Sequence, residues 1–193
     1  MLTKPQITLL AVTSLDGFIA KQSGHAPATW ASVEEQQHFL KQMDQMDISV
    51  MGRVTHEAAF RPDRKRIIFS SSAQSQAQNK EWCHPNHLWV NPANMDAADI
   101  LACLDGASKV ALLGGTRVHD WFLEHGLIDV IELSVEPQMF GQGLALFDDP
   151  TWQGYGSVEE IEPAMAAIGF SQQGPVHHLN EDGTFLMRFY RQK

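Results

Sequence analysis

The sequence is poor in the features that mark secreted, membrane-bound and nucleic-acid-binding proteins. It contains two cysteines, Cys83 and Cys103, which lie too far apart for a CxxC motif. Such low cysteine usage argues against a disulfide framework and favours a reducing compartment. The apolar run from Ile7 to Val12 is too short for the core of a signal peptide or for a membrane span. We therefore expect a soluble protein of the cytoplasm that does not enter a membrane.

Positive charge is also scarce. Lysine and arginine together number 14 against 23 acidic residues, which gives a formal net charge of −9. The basic cluster from Arg61 to Arg66 is short and lies where a solvated turn is expected. This balance argues against a protein whose main partner is the nucleic-acid backbone. With 44% apolar and 19% charged residues, the chain of 193 residues is predicted to form one globular domain over residues 1–193.

Short apolar runs alternate with segments of helical periodicity, a pattern typical of an α/β fold with a mostly parallel sheet. Strands are predicted at residues 7–13, 48–51, 66–69, 87–90, 109–113 and 130–135, and helices at 32–46, 55–60, 96–104 and 117–125. Near the C-terminus, an Asp182-Gly183 turn separates the runs 176–179 and 184–190, which predicts an antiparallel hairpin at the edge of the sheet. Residues 159–174 give no clear signal.

A glycine pair follows the predicted strand 109–113. Gly114 and Gly115 precede Thr116, which is predicted to be the N-cap of the next helix, and Arg117 adds a positive charge. Glycines allow a phosphate group to approach the backbone, and a helix N-terminus offers unpaired N–H groups and a favourable dipole. A tight turn that needs only the flexibility of glycine accounts for the same residues equally well. The dinucleotide-binding fingerprint GxGxxG is absent from the sequence.

Two further strand ends carry residues suited to the same kind of ligand. Gly52, Arg53 and Thr55 join the second predicted strand to a helix, and Ser70–Ser72 follow the third strand. Open α/β sheets bind their ligands at the carboxyl ends of the strands. The three junctions together therefore favour a single phosphate-bearing ligand over three unrelated turns.

These segments resemble a known family. ISVMGRVTHEA, RIIFSSS and VALLGGTRVHDWFLEHGLIDVIELSVEP, in this order and spacing, are similar to the dihydrofolate reductase-like family. SLDGFIA, at residues 14–20, resembles the branch that contains the reductase domain of riboflavin biosynthesis. The resemblance implies a three-layer α-β-α fold and an NADPH-dependent oxidoreductase that reduces a small pteridine- or pyrimidine-like heterocycle by hydride transfer. Because relatives in the riboflavin branch tend to be homodimers, it also implies a possible homodimer.

The resemblance places NADPH at the three junctions and under the loop that follows the first strand. The cofactor-binding residues that it implies are Ala20 in that loop, Gly52, Arg53 and Thr55, the serines Ser70, Ser71 and Ser72, and the stretch Leu113, Gly114, Gly115, Thr116, Arg117 and Val118.

The resemblance also implies a catalytic acid, and the matching residue is Glu35. Hydride transfer to a C=N carbon requires a proton for the ring nitrogen, which a carboxyl group can supply. Asp16, Trp30 and Ser134 are the other substrate contacts that it implies, besides Glu35 itself. However, the sequence from Ser32 to Glu35 is also an S-x-x-E capping box, in which Glu35 would bond to the backbone of Ser32. Both interpretations remain open, and Glu34 is an alternative acid.

Two departures from the family leave the physiological substrate open. Leu113 stands where reductases of the riboflavin branch commonly carry an acid, and Ala28–Ala31 stands where folate reductases have a Pro-Trp pair. Riboflavin-pathway pyrimidine reduction is therefore one alternative, and a non-catalytic NADPH-binding or NADPH-sensing protein is another. No metal is predicted, because Cys83, His84 and His87 lack a second ligand pair and are expected to form a surface loop.

Overall fold

A computed structural model describes residues 4–73, 81–152 and 154–192. The described strands are β1 (Gln6–Ser14), β2 (Phe18–Ala20), β3 (Ile48–Gly52), β4 (Arg66–Phe69), β5 (Glu81–His84), β6 (His87–Val90), β7 (Lys109–Gly114), β8 (Val130–Glu136), β9 (Leu144–Ala145), β10 (Phe170–Gln172), β11 (His177–His178) and β12 (Phe185–Arg191). The described α-helices are α1 (Val33–Met43), α2 (Arg53–Ala58), α3 (Ala97–Cys103), α4 (Thr116–Glu124) and α5 (Ile161–Ala167).

Ten strands form one sheet in the order β10-β12-β8-β1-β7-β3-β4-β6-β5, with β11 paired to β12. The six central strands from β8 to β6 are parallel. At one edge β12 runs antiparallel to β8, and β10 and β11 run antiparallel to β12. The predicted α/β class, with a mostly parallel sheet and an antiparallel C-terminal edge, is confirmed. A separate two-stranded sheet joins β2 to β9.

The sheet buries apolar side chains on both faces, because successive residues of a strand point to opposite sides. Ile7 and Leu9 belong to the larger cluster, which also contains the buried faces of α3, α4 and α5. Leu10 belongs to a smaller cluster with Ala111 and with Met43 of α1. Helices therefore cover both faces, which gives the predicted three layers. Among the described helices, none is long and apolar enough to cross a bilayer.

Two parts of the chain differ from the sequence-based expectation. The expected surface loop around His84 and His87 is wrong, since these residues lie in the β5–β6 hairpin and His87 is only 1% exposed. The Nε2–H of His87 donates to the carbonyl of Arg61 at 3.0 Å, which gives the buried ring a polar partner. Residues 159–174, which gave no clear signal, contain α5 and β10, with Gly169 at φ +85° between them.

Candidate functional site

The carboxyl ends of three central strands lie side by side because β3 lies between β7 and β4. Met51 in β3 pairs with Gly114 in β7, and Gly52 pairs with Phe69 at the end of β4. A Cβ atom added to Gly52 would lie 3.5 Å from Cγ2 of Val118. The structure therefore brings together the three junctions that the sequence analysis singled out.

Gly114 allows β7 to pass close to α4. It has φ +84°, and a Cβ atom at this position would lie 2.6 Å from Cε1 of His119 and closer still to Nε2. The buried imidazole of His119 is fixed, because its Nδ1–H donates to the carbonyl of Leu146 at 2.9 Å. Burial lowers the pKa of His119 to about 4, so the ring is neutral at physiological pH. A larger residue at position 114 would be strained and would overlap the ring of His119. The peptide bond from Gly114 to Gly115 is cis.

The start of α4 differs from the prediction in one respect. Gly115, not Thr116, is the N-cap, and no described side chain caps the helix. The hydroxyl of Thr116 instead donates to the carbonyl of Ala145 in β9 at 2.6 Å. The N–H of Val118 donates to the carbonyl of Gly115 at 2.8 Å, whereas the N–H groups of Thr116 and Arg117 keep their capacity for an anionic ligand. Arg117 is exposed beside them.

The other two junctions present polar groups at the same edge. Arg53, half-exposed, begins α2 and forms an ion pair with Glu57 at 2.9 Å. The buried hydroxyl of Ser70 lies 2.8 Å from that of Ser72, while Ser71 is exposed. Thr55 is partly buried in the first turn of α2. Hydroxyl and guanidinium groups are suitable donors for phosphate oxygens.

A second group of polar side chains lies on one face of β8. Glu132, Ser134 and Glu136 occupy alternate positions of the strand, and their exposed fractions are 6%, 2% and 4%. Because β8 and β7 flank β1, the ends of these strands lie roughly 10 Å apart at the same edge of the sheet. The polar face of β8 and the glycine pair are therefore close enough to act on one bound pair of molecules.

Glu136 is held by three hydrogen bonds. Its Oε1 accepts from both the backbone N–H and the hydroxyl of Ser32 at 2.8 Å, and its Oε2 accepts from the hydroxyl of Thr184 at 2.9 Å. Ser32 is the N-cap of α1 and accepts from the backbone N–H of Glu35 at 3.3 Å. Only this half of the predicted capping box is formed, because Glu136 occupies the N–H that the carboxyl group of Glu35 would need.

Glu35 is 5% exposed and lies opposite β8. Burial, followed by the nearby charge of Glu136, raises the pKa of Glu35 to about 7, against opposing contributions from the hydroxyl of Ser134 and from His38. A carboxyl group with this pKa exchanges a proton near neutral pH, which is the property that a general acid requires. Glu34, the alternative acid, is exposed and lies 3.4 Å from the side-chain nitrogen of Asn180.

Glu35 is expected to make stability depend on pH. The pKa of Glu35 is about 7 in the fold against an ordinary 4.5, so its favourable contribution is complete below pH 4.5 and is lost as the pH rises through 7. We therefore expect Glu35→Gln to gain on the order of 2–3 kcal/mol relative to the wild type between pH 5 and pH 8. Urea unfolding of both proteins across this range measures the difference. Glu34→Gln is the control, and curves for Glu35→Gln that run parallel to the wild type would refute the expectation.

Glu132 anchors a neighbouring charge network. Its Oε1 accepts from Nε2 of His38 at 2.6 Å, and its Oε2 accepts from Nε of Arg188 in β12 at 2.7 Å. Burial would raise the pKa of Glu132, but these two partners outweigh burial and keep the pKa below its ordinary value. The two carboxyl groups thus have opposite environments: Glu132 of β8 is paired with Arg188 and His38, whereas Glu35 of α1 faces a second acid.

The loop after β1 is fastened to the loop before β9. Asp16 accepts from the backbone N–H groups of Phe140 at 3.0 Å and Gly141 at 2.7 Å, and from the hydroxyl of Ser14 at 2.6 Å. Burial would raise the pKa of Asp16, but these hydrogen bonds lower it further than burial raises it. Its substrate contact stays a prediction. Ile19 in β2 reaches the glycine pair, with Cδ1 3.9 Å from a Cβ atom added to Gly115.

Trp30 contributes an aromatic wall beside this loop. Its ring meets that of Phe140 edge to face, with centroids 5.0 Å apart, and stacks on His25 at 6.1 Å. The buried Nε1–H of Trp30 has no hydrogen-bond partner among the described residues. An unpaired indole donor beside an aromatic surface is suited to a planar polar ligand.

Sequence reasoning missed Glu132 and Glu136. The signal was the alternation of polar and apolar residues in Glu132–Glu136, which places every second side chain on one face of a strand. His38 and Arg188, the partners of Glu132, come from α1 and β12, and no local pattern joins these distant segments. Within the described ranges, no three His, Cys, Asp or Glu side chains are arranged to hold a metal ion.

Two comparisons with known proteins at the level of sequence give matches over most of the chain. The sequence model of the RibD C-terminal domain matches residues 5–166. The uncharacterized protein YyaP of Bacillus subtilis (strain 168) is 26% identical over 158 residues, which cover 72% of this chain and 78% of YyaP. The family match over residues 5–166 includes all three junctions, Glu35 and the polar face of β8.

Solved structures share the fold at low sequence identity. RibD of Acinetobacter baumannii has a TM-score of 0.69 and 18% identity, over 98% of this chain and 59% of that one. Dihydrofolate reductase of Enterococcus faecalis, complexed with NADP(H), has a TM-score of 0.65 and 17% identity, over 100% of both chains. These similarities establish a dihydrofolate reductase-like fold.

Proposed function

Since the chain belongs to the RibD C-terminal domain family, we propose that it is an NADPH-dependent reductase of a small pteridine- or pyrimidine-like heterocycle. The observation that carries this proposal is the pairing of two features at one edge of the sheet. An uncapped helix start behind a glycine pair lies on one side of β1, and a buried carboxyl group with a pKa of about 7 lies on the other.

The residues at the three junctions fit NADPH. The open approach to Gly115, where the nearest atom to an added Cβ is 3.9 Å away, leaves room for a phosphate group against the backbone of α4. The site would consist of Ala20 at the end of β2, of Gly52, Arg53 and Thr55, of Ser70, Ser71 and Ser72, and of Leu113, Gly114, Gly115, Thr116, Arg117 and Val118. Bound NADPH supplies a hydride from its nicotinamide ring.

The residues of the chain would prepare the heterocycle for reduction. Glu35 holds a proton on its carboxyl group near neutral pH and delivers it to a ring nitrogen. Ser134, whose hydroxyl faces Glu35 and lowers its pKa, orients that carboxyl group. Trp30 and Phe140 exclude water from one side of the ring, which strengthens the hydrogen bonds within the site.

NADPH binding is the first test of this proposal. We expect purified protein to bind NADPH with micromolar affinity in a fluorescence titration and to bind NADH more weakly, because serine and arginine residues surround the expected 2′-phosphate site. Loss of NADPH absorbance is then followed with dihydrofolate and with the riboflavin-pathway pyrimidine. Oxidation with the pyrimidine alone would identify the riboflavin-pathway reductase. Binding without turnover of any heterocycle would favour a sensing protein, and absence of NADPH binding would refute the proposal.

A further inference from the structure

Glu35 and Glu136 compete for one backbone donor at the start of α1. In a complete capping box, the carboxyl group of Glu35 would accept the N–H of Ser32. That N–H donates instead to Oε1 of Glu136 at 2.8 Å. We propose that Glu136 is a positioning residue that keeps the carboxyl group of Glu35 out of the helix cap and available to a substrate. Its catalytic meaning rests on the proposed function, but the competition itself does not.

The same chain shows what happens where no second acid competes. At the start of α3, Asp99 accepts from the N–H of Asp96 at 3.0 Å, and Asp96 accepts from the N–H of Asp99 at 3.0 Å. This capping box is complete. The first half of the box at α1 is present as well, since Ser32 accepts from Glu35 at 3.3 Å. The two helix starts differ in that a strand residue occupies the N–H of Ser32.

Glu136 is suited to hold that position because its own carboxyl group cannot move freely. It is 4% exposed, lies at the end of β8 within the main sheet, and is fixed from the other side by the hydroxyl of Thr184 at 2.9 Å. A fixed negative charge beside a second buried carboxyl group discourages ionisation of the second group.

Among the groups that face Glu35, Glu136 is the acid whose charge raises the pKa of Glu35. From β8, Glu136 faces it as an acid and Ser134 as a hydroxyl donor, and from its own helix His38 faces it as a base. His38 is committed to Glu132 at 2.6 Å, and Glu132 is further neutralised by Arg188 from β12. Removal of Glu136 is therefore expected to change both the position and the pKa of Glu35.

The two obvious substitutions separate these effects. Glu136→Gln keeps a carbonyl oxygen that can accept the N–H of Ser32 but removes the charge, so Glu35 stays out of the cap and its pKa falls by roughly one pKa unit. Glu136→Ala frees that N–H, so Glu35 closes the capping box and its pKa falls further, towards the ordinary 4.5. The pKa of Glu35 is therefore expected to be highest in the wild type, lower in Glu136→Gln and lowest in Glu136→Ala.

Carboxyl-carbon NMR of protein labelled with ¹³C at the glutamate side chains measures this order directly. Glu35→Gln assigns the Glu35 resonance, and Glu34→Gln, which changes an exposed acid of the same helix turn, is the matched control that leaves the titration of Glu35 unchanged. An unchanged pKa of Glu35 in both Glu136 variants, or the same pKa in Glu136→Ala as in Glu136→Gln, would overturn the inference. If Glu136→Ala fails to fold, Glu136→Leu replaces it, because leucine fills a similar volume but offers no acceptor to the N–H of Ser32, and the same order is expected.

The result is independent of whether the protein is a reductase, because the titration requires neither NADPH nor substrate. The expected titration order in a protein that oxidises no NADPH would support the inference and count against the proposed function. An active reductase in which the pKa of Glu35 is the same in all variants would support the proposed function and overturn the inference. In an active enzyme, the pH at which the turnover rate halves is expected to move in the same order as the Glu35 pKa.

Discussion

Replacing Glu35 by glutamine is expected to reduce substrate-dependent NADPH oxidation by roughly 10²–10⁴-fold, the usual contribution of a positioned general acid. Glutamine preserves the shape of the side chain but carries no acidic proton for a ring nitrogen. NADPH affinity is expected to stay unchanged, because Glu35 faces β8 and not the glycine pair. Stopped-flow measurement of NADPH oxidation at saturating substrate, together with an NADPH titration, measures both quantities.

The wild-type rate is also expected to fall with rising pH. The pKa of Glu35 is raised to about 7, and the protonated form is the one that donates. The rate is therefore expected to be constant below pH 6 and to fall about tenfold per pH unit above pH 8. Glu34→Gln is the control, since Glu34 is exposed one residue earlier in α1. A Glu35→Gln enzyme with wild-type rate and pH profile would assign Glu35 a purely structural role.

Gly114→Ala is expected to destabilise the fold and to weaken NADPH binding together. Alanine is strained at φ +84°, and its Cβ atom would lie 2.6 Å from Cε1 of His119, a ring that the carbonyl of Leu146 holds in place. We expect a loss of roughly 2–4 kcal/mol from strain and overpacking together. This corresponds to a fall in Tm of roughly 5–15 °C for a chain of this size. Movement of the glycine pair away from α4 would raise the Kd for NADPH.

Gly106→Ala provides a matched control for this prediction. Gly106 has nearly the same φ, +80°, but a Cβ atom there has no neighbour within 4 Å. We expect it to lose only about 1 kcal/mol and to bind NADPH normally. In a double-mutant cycle, His119→Ala should relieve part of the cost of Gly114→Ala, because the two residues are in contact. Equal destabilisation by Gly114→Ala and Gly106→Ala would show that contact with His119 is unimportant.

Most of the central sheet could be predicted from the sequence because its strands are short, apolar and separated by helical periodicity. The runs that became β1, β3, β4, β6, β7 and β8 carried that signal directly. β2 and β9 have three and two residues, too few for any periodic pattern. The sequence did not predict α5, although Ile161, Met165 and Ile168 are spaced for one helical face. Pro163 in the first turn of the helix obscured this pattern.

The candidate site was predictable only in part, because hydrogen bonds between distant segments decide it. The sequence offered two interpretations of Glu35, and the deciding partner, Glu136, lies 101 residues along the chain in β8. Local pattern likewise favoured Thr116 as N-cap, since threonine is a good cap and glycine a weaker one. The position of β9 changed the outcome, because its carbonyl at Ala145 binds the threonine hydroxyl.

The alternation along β8 also has a consequence for folding. Ile131, Leu133 and Val135 are fully buried in the apolar cluster, whereas the acidic residues of the strand lie on its other face. If β8 slipped by one residue against β1, every side chain would change face, and two carboxyl groups would enter that cluster without partners. Glu132 and Glu136 therefore also destabilise any shifted register of β8. This strand joins the parallel part of the sheet to its antiparallel edge.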